Sequence, residues 1–159
     1  GKLLGSIDLG SQVAGSPAVV AGRAFVGTYD GRLVAVDLAA DRVAWEIDLT
    51  GAVLASPAAA AGIVVVGSRD GVLVAAEAAT GAVRWRWRAS GAIEGSPVVA
   101  GRHVVVGSLD GRLSVLDLGS ARQGQVIDLG SPIGTTPAVA GDLVVVTTED
   151  GRVSAFAAD

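Results

Sequence analysis

Cysteine and methionine are absent from this 159-residue chain, and aromatic residues make up only 4% of it. Without cysteine the chain can form no disulfide, no thiolate nucleophile and no cysteine-ligated metal site, and a cysteine-free chain tolerates either redox compartment. Without methionine, residue 1 is not a translation start, so we expect a chain that was processed, excised from a longer one or engineered.

Positive charge is also scarce. The chain has 12 Lys and Arg against 16 Asp and Glu, for a net charge of −4. The summed field repels nucleic acid, and no basic cluster interleaved with aromatics offsets it. No apolar run is long enough to cross a membrane. The sequence therefore predicts neither nucleic-acid binding nor membrane insertion.

What the chain does contain is a 40-residue repeat. The stretch "GSPAVVAGRAFVGTYDGRLVAVDLAADRVAW", which begins at Gly15, returns as "ASPAAAAGIVVVGSRDGVLVAAEAATGAVRW", which begins at Ala55. A third copy begins at Gly95 and a partial fourth at Thr135. Repeats of this length indicate stacked units that bury their apolar faces against one another. The period is marked by four prolines, Pro17, Pro57, Pro97 and Pro137.

Each repeat predicts four short strands. An Asp-Gly pair between two apolar runs is typical of a type I′ hairpin turn, which needs positive φ at both residues. The pairs are Asp30-Gly31, Asp70-Gly71, Asp110-Gly111 and Asp150-Gly151. The last run of the first repeat alternates strictly, with Val43, Trp45, Ile47 and Leu49 on one face, which predicts a strand with one wet face.

Four-stranded antiparallel units of about 40 residues, covered on both faces, predict an all-β fold of the β-propeller type. The blades are expected at about 15–50, 55–90 and 95–130, with a fourth split between about 135–158 and 2–10. The split follows because Lys2 to Leu9 aligns with Arg42 to Leu49, so the chain begins with a fourth strand and ends after a third.

Blade number follows from the size of the residues between blades. Ala, Val and Gly dominate the repeat, and thin blades suit the narrow wedge of a large ring. We therefore expect four blades per chain and a homodimer of eight blades, in which the first strand of each chain completes the last blade of its partner.

The string "AAEAATGAVRW", Ala75 to Trp85, resembles the tryptophan-docking repeat of the pyrroloquinoline-quinone-type propellers, Ala-x-Asp-x-x-Thr-Gly-x-x-x-Trp. The first repeat keeps Ala35, Asp37 and Trp45, whereas the third keeps only Asp117. That superfamily includes quinoprotein alcohol dehydrogenases, the propeller lipoprotein of the outer-membrane assembly machine, and sensor or scaffold domains. The non-enzymatic assembly lipoprotein is the most similar type.

The resemblance implies an extracytoplasmic location for the parent family and leaves this chain's own compartment unknown. A quinone dehydrogenase would need a vicinal disulfide, a calcium site and a catalytic aspartate, and the sequence offers no such set. We therefore expect a non-enzymatic scaffold or protein-interaction module without cofactor, metal or catalytic residues. The alternatives are a fragment of a quinone-dependent dehydrogenase and a small-ligand sensor.

Several residues are candidates for a role. The hydroxyl residues before the prolines are expected to ring one mouth of the central channel, where they contact a ligand or cap a turn: Ser16, Ser56, Ser96 and Thr136. The tryptophans are interpreted as wedges between blades: Trp45, Trp85 and Trp87. The four turn aspartates could hold a cation, but the turn accounts for them. His103 stands alone, and the stripe Arg84, Arg86 and Arg88 reads as a charged outer edge or a recognition surface.

Overall fold

A computed structural model describes residues 1–157 as four antiparallel sheets in chain order. Sheets 1 and 2 contain β1 Ala18–Val20, β2 Arg23–Gly27, β3 Arg32–Asp37, β4 Arg42–Asp48, β5 Ala58–Ala60, β6 Ile63–Gly67, β7 Val72–Glu77 and β8 Val83–Arg88. Sheets 3 and 4 contain β9 Val98–Ala100, β10 His103–Gly107, β11 Arg112–Asp117, β12 Gln123–Asp128, β13 Ala138–Ala140, β14 Leu143–Thr147 and β15 Val153–Ala157. Residues 1–157 contain no helix long and apolar enough to cross a membrane.

Every sheet is a meander in which neighbouring strands in the chain are neighbours in the sheet. The first strands of successive sheets contact one another, β1 with β5, β5 with β9 and β9 with β13, so they form the inner edge of the array. This arrangement confirms the predicted all-β propeller fold with four strands per repeat. Among residues 1–157 the fourth sheet has three strands, and residues 1–9 form no strand.

Apolar side chains fill the space between successive sheets. One buried cluster lies between sheets 1 and 2 around Phe25 and Val64, and a second lies between sheets 2 and 3 around Leu73 and Val104. A smaller one lies between sheets 3 and 4 around Ile133. No buried cluster of the described residues joins sheet 4 to sheet 1. The four sheets therefore form an open arc.

The Asp-Gly turns differ from the predicted type I′ geometry. Positive φ falls on the glycines alone, from 82° at Gly71 to 88° at Gly31, and not on the aspartates. The residues Thr28 to Gly31 form a longer loop, in which the Gly31 N–H donates to the Thr28 carbonyl at 3.1 Å. Such a loop ends with a left-handed glycine that returns the chain to its partner strand. Asp30 serves instead as a hydrogen-bond acceptor inside the loop.

The strict alternation expected in the fourth strand is also wrong at its start. Trp45 pairs with Ala35, but Val43 pairs with Val36, so the register shifts by one residue at a β-bulge. Successive residues of β3 point to opposite faces, so Val43 and Trp45 lie on opposite faces. The same shift recurs in sheet 2 between Ala75 and Ala76. Alternation alone does not reveal the extra residue.

Candidate functional site

The hydroxyl residues before the prolines connect successive sheets. The backbone N–H of Ser16 donates to the Ser56 hydroxyl at 2.8 Å, and that of Ser56 donates to the Ser96 hydroxyl at 2.8 Å. The Ser96 N–H donates in turn to Thr136 Oγ1 at 3.1 Å. The four residues lie beside the inner strands. Their first role is therefore to join neighbouring sheets, and a contact with a ligand at the channel mouth stays a prediction.

A second hydrogen bond joins each pair of sheets. The N–H groups of Val53, Ile93 and Ile133 donate to the carbonyls of Thr28, Ser68 and Ser108 in the preceding sheet, at 3.0, 3.1 and 3.2 Å. A glycine of that preceding sheet faces each of these side chains. A Cβ at Gly27, for example, would lie 2.9 Å from the Val53 Cβ, which is too close for any other residue.

The fourth sheet departs from this rule. Thr147 occupies the place of Gly27, Gly67 and Gly107, and its hydroxyl lies 2.7 Å from that of Thr135. A following sheet cannot approach sheet 4 as closely as Ile133 approaches sheet 3. Any sheet packed beyond sheet 4 would therefore lie farther from it than the sheets inside the chain lie from one another.

The tryptophans Trp45 and Trp85 dock on the next sheet. Trp45 Nε1 donates to the Ala78 carbonyl at 3.3 Å, and the buried Trp85 donates to the Leu118 carbonyl at 2.8 Å. A Cβ at Gly81 would lie 2.7 Å from Cδ2 of Trp45. The Thr-Gly of the sequence motif therefore makes room for the tryptophan of the preceding blade. Trp87 is half-buried beside the second cluster.

The acidic residue of the motif stabilises the turn on which the indole of the preceding sheet docks. Asp117 accepts hydrogen bonds from Arg102 Nη2 at 2.7 Å and from the Ser120 hydroxyl at 2.8 Å. These bonds, with that from Arg102 as the largest cause, lower the pKa of Asp117 to about 2. Trp85 docks on the carbonyl of Leu118, the residue that follows Asp117. The aspartate therefore fixes the tryptophan's acceptor.

The turn aspartates have equally local partners. The Thr28 hydroxyl donates to Asp30 at 2.5 Å, and Arg32 Nε donates to the other carboxylate oxygen at 3.0 Å. The pKa of Asp30 is lowered to about 2, mainly by its bond from Arg32 and next by that from Thr28. Among residues 1–157, no group of three His, Asp or Glu residues is placed to hold a metal ion. The four aspartates serve four separate turns.

The arginine stripe of β8 is engaged within the chain. Arg86 donates to the Asp48 carbonyl at 3.1 Å, Arg88 donates to the Asp70 carbonyl at 2.8 Å, and Arg84 lies 3.4 Å from Glu77. These contacts join the outer strand to its neighbours. His103 is exposed at the start of β10. Neither feature forms a constellation suited to proton transfer or nucleophilic attack.

A cleft opens in the third repeat, which lacks the docking tryptophan of the first two. Gln125 stands at the position of Trp45 and Trp85, and a cavity of about 730 Å³ lies there between sheets 3 and 4. Phe156 and Val115 form part of its apolar wall. The smaller buried cluster at this junction has the same cause, because no indole fills the gap.

Sequence reasoning missed the unfinished bonds at the two ends of the arc. Among residues 1–157, the Thr136 N–H has no acceptor and the Ser16 hydroxyl accepts no hydrogen bond. The Val13 N–H and the Leu9 N–H are also without acceptors there. The equivalents of Ser16, Val13 and Leu9 lie 40 residues later and are bonded, and the equivalent of Thr136 is the bonded N–H of Ser96, 40 residues earlier. The repeat period could have identified these groups, given the bonds of one complete junction.

The comparisons with known proteins agree with this architecture. The profile of a family described as outer membrane protein assembly factor BamB matches residues 1–86 and 53–125. The sequence matched no protein in a comparison with curated proteins.

Three solved structures share the fold. The chain resembles BamB from Moraxella catarrhalis with a TM-score of 0.85 and 22% identity, over 96% of this chain and 48% of that one. It resembles the computationally designed Ika4 protein with a TM-score of 0.91 and 21% identity, over 100% of this chain and 99% of that one. It resembles a quinohemoprotein alcohol dehydrogenase from Pseudomonas putida HK5 with a TM-score of 0.79 and 18% identity, over 96% of this chain and 33% of that one.

At these identities the structural likenesses establish the fold and not an activity. The chain spans about half the length of the Moraxella catarrhalis protein. The family profile, in contrast, matches well over half of the chain, and it matches the repeats that carry the docked tryptophans. The resemblance predicted from the tryptophan-docking motif is thereby confirmed: this chain belongs to the outer membrane protein assembly factor BamB family of β-propeller repeats.

Proposed function

We propose that this chain is a non-enzymatic propeller scaffold that associates with a second copy of itself to close an eight-bladed ring. The observation that carries the proposal is that positions at the free ends of the arc are exposed, whereas their equivalents inside the arc are buried. Pro57, Pro97 and Pro137 are buried, each covered by a preceding sheet, whereas Pro17 at the free end is exposed. The face of sheet 1 that points away from sheet 2 thus carries the equivalents of the residues that are buried at the junctions inside the arc, but no sheet of residues 1–157 covers it.

Apolar exposure at both ends supports the same proposal. Val19 of β1 is 62% exposed, and Val153 of β15 is 71% exposed. Their equivalents Val99 and Leu113, inside the arc, are half-buried and buried. Association of the two ends would remove this apolar surface from water, which is the main driving force for such contacts.

A scaffold role is favoured over quinone chemistry because the chain lacks the residues that a quinone site would need. The sequence has no cysteine pair for a disulfide lid, and Trp45 and Trp85 are packed between sheets, where neither can form a floor for a quinone. Residues 1–157 also bring together no carboxylate set for calcium. The residues present do not fit a quinone site. The family description, which concerns outer-membrane assembly, supports a protein partner and an extracytoplasmic setting for this scaffold.

Light scattering on a sizing column tests the proposal directly. The chain has a formula mass of 15.7 kDa, and we expect a solution mass of about 31 kDa for the closed ring of two copies. A mass that stays at the monomer value at high concentration would overturn the proposal. A series of larger species would overturn closure at two copies.

A further inference from the structure

The outer edge of β15 is an unfilled strand position. In the other three sheets the third strand, β3, β7 or β11, pairs with a fourth strand. In sheet 4, among residues 1–157, β15 pairs with β14 alone. Arg32 and Arg112 belong to their strands because each pairs with a residue of the fourth strand, whereas Arg152 lies outside β15. The edge therefore offers free backbone donors and acceptors.

Residues 2–9 lie where a fourth strand of a preceding sheet would lie. The Leu9 carbonyl accepts a hydrogen bond from Arg32 Nη2 at 2.7 Å, and the Ser11 hydroxyl accepts one from the Asp30 N–H at 3.2 Å. A Cβ at Gly5 would touch the Asp41 carboxylate. Gly5 and Asp41 are the equivalents, one repeat earlier, of Trp45 and Gly81, which also lie against each other.

The segment is held against sheet 1 but pairs with no strand of the part of the chain that the structure describes. Leu4 is 92% exposed and Leu3 is 79% exposed. A segment that is docked on one side, exposes leucine side chains and is open along its edge is suited to β-sheet completion.

The unfinished hydrogen bonds at the two ends are complementary. Leu49 donates to the Gly31 carbonyl at 2.6 Å, and Ala89 and Leu129 make the same bond in sheets 2 and 3 at 2.9 Å. The missing fourth bond of this set would join a Leu9 N–H to the Gly151 carbonyl. A Thr136 N–H and a Ser16 hydroxyl stand in the same relation at the inner edge.

We propose that residues 2–9 of one copy form the fourth strand of sheet 4 in a second copy, antiparallel to β15. This inference rests on the proposed self-association and specifies its occupant and register. Arg152 lies opposite the partner's Asp8, as Arg32 lies opposite Asp48, and Ser154 lies opposite the partner's Ser6, as Val34 lies opposite Glu46. Two such exchanges, one at each seam, close the ring.

The charges at the seam agree with this register. In sheet 3, Arg112 Nε lies 3.8 Å from Asp128 on the neighbouring strand. Arg152 and the partner's Asp8 occupy the equivalent positions of the exchanged strand. A shift by one residue would turn every side chain of the segment to the opposite face and separate this pair.

A cysteine pair tests the register, because the unsubstituted chain contains no thiol. The bond from Leu49 to Gly31 makes Arg32 and Asp48 a non-hydrogen-bonded pair, and the pair two residues further along is of the same kind. Such pairs bring Cβ atoms closest and accept a disulfide. We expect the Ser6→Cys/Ser154→Cys variant, treated with diamide as oxidant, to become mostly a covalent dimer on a non-reducing gel.

Matched controls separate the outcomes. The single variants Ser6→Cys and Ser154→Cys, and the out-of-register pair Ser6→Cys/Val153→Cys, should stay mostly uncrosslinked. A double variant that is dimeric by light scattering under reducing conditions, yet does not crosslink or crosslinks no better than the controls, would overturn strand exchange and leave self-association intact. A monomeric wild-type chain would overturn the proposed function itself.

Discussion

The backbone N–H of Ser56 donates to the hydroxyl of Ser96, which lies one repeat later in the chain and one sheet further along the arc, over 2.8 Å. Ser16 and Ser56 have the same relation, as do Ser96 and Thr136. Proline follows each of these residues and fixes the start of the inner strand. The array is thus joined at its inner edge by side chains that the sequence places 40 residues apart.

Ser96→Ala is expected to lower the free energy of unfolding by about 1 kcal/mol, because it leaves the half-buried Ser56 N–H without an acceptor. Urea unfolding at a concentration where the chain is monomeric measures the change. Ser16→Ala is the matched control, since the Ser16 hydroxyl accepts no hydrogen bond within residues 1–157. Equal losses in the two variants would contradict the assigned role.

Trp85→Ala should lower the free energy of unfolding by about 3–5 kcal/mol, because the indole is buried and its N–H donates to the Leu118 carbonyl. Thermal and urea unfolding would both report the loss. His103→Ala, a change at an exposed side chain, should alter stability by less than about 0.5 kcal/mol. A small effect at Trp85 would mean that the wedge between sheets 2 and 3 contributes little.

The chain should lose stability in acid between about pH 4 and pH 2. The pKa values of Asp30, Asp117 and Asp150 are lowered in the fold to about 2, so their stabilising contribution is complete above their ordinary pKa and is lost as pH falls through the folded value. Asp117→Asn should make urea midpoints less dependent on pH in this window. Asp142→Asn, a change at a carboxylate without an ion pair or side-chain hydrogen bond among the described residues, should leave the dependence as it is.

Thr147→Gly is expected to tighten the proposed dimer by about tenfold, which corresponds to relief of about 1.4 kcal/mol of overpacking. The side chain stands where Gly27, Gly67 and Gly107 admit Val53, Ile93 and Ile133, and the partner's Val13 would take that place at the seam. Dilution experiments with light scattering give the dissociation constant. An unchanged constant would show that the seam does not bring these two residues together.

The reverse change inside the arc is the control for this prediction. Gly107→Thr should destabilise the junction of sheets 3 and 4, because a Cβ there would lie 2.9 Å from the Ile133 Cβ. Sheet 4 would then exchange its amide hydrogens faster than sheet 2. If Gly107→Thr were harmless, the close approach of glycine and isoleucine would not govern the spacing of the sheets.

Much of the fold is predictable because the repeat carries local signals at fixed positions. Pro57, the Asp70-Gly71 pair and the apolar run of Val64 to Val66 each restrict the backbone by themselves, and a fourfold repetition makes the pattern unambiguous. The tryptophan-docking resemblance depends on the same residues. The family was therefore predictable from the sequence alone.

The details that the sequence did not predict depend on contacts between sheets and on the exact number of residues in each strand and turn. The bulge beside Ala35 adds one residue to the fourth strand, and no residue type marks it. The turn at Asp30 is longer than its Asp-Gly suggests, and inside it the Asp30 carboxylate accepts a hydrogen bond from the Thr28 hydroxyl. Thr147 is an ordinary strand residue by its sequence, and its significance follows only from the close contact between its equivalent Gly107 and Ile133.

The threonine at position 147 also bears on how a ring of repeats can close without error. Each sheet is placed on the preceding one by the same few contacts, so a small departure from the ideal rotation is repeated at every step and accumulates along the arc. Three junctions built on the same backbone contacts cannot correct it. In the proposed dimer, a seam with different, wider packing would provide the tolerance, and it would let two imperfect arcs meet where a strictly periodic chain would either strain or miss its own beginning.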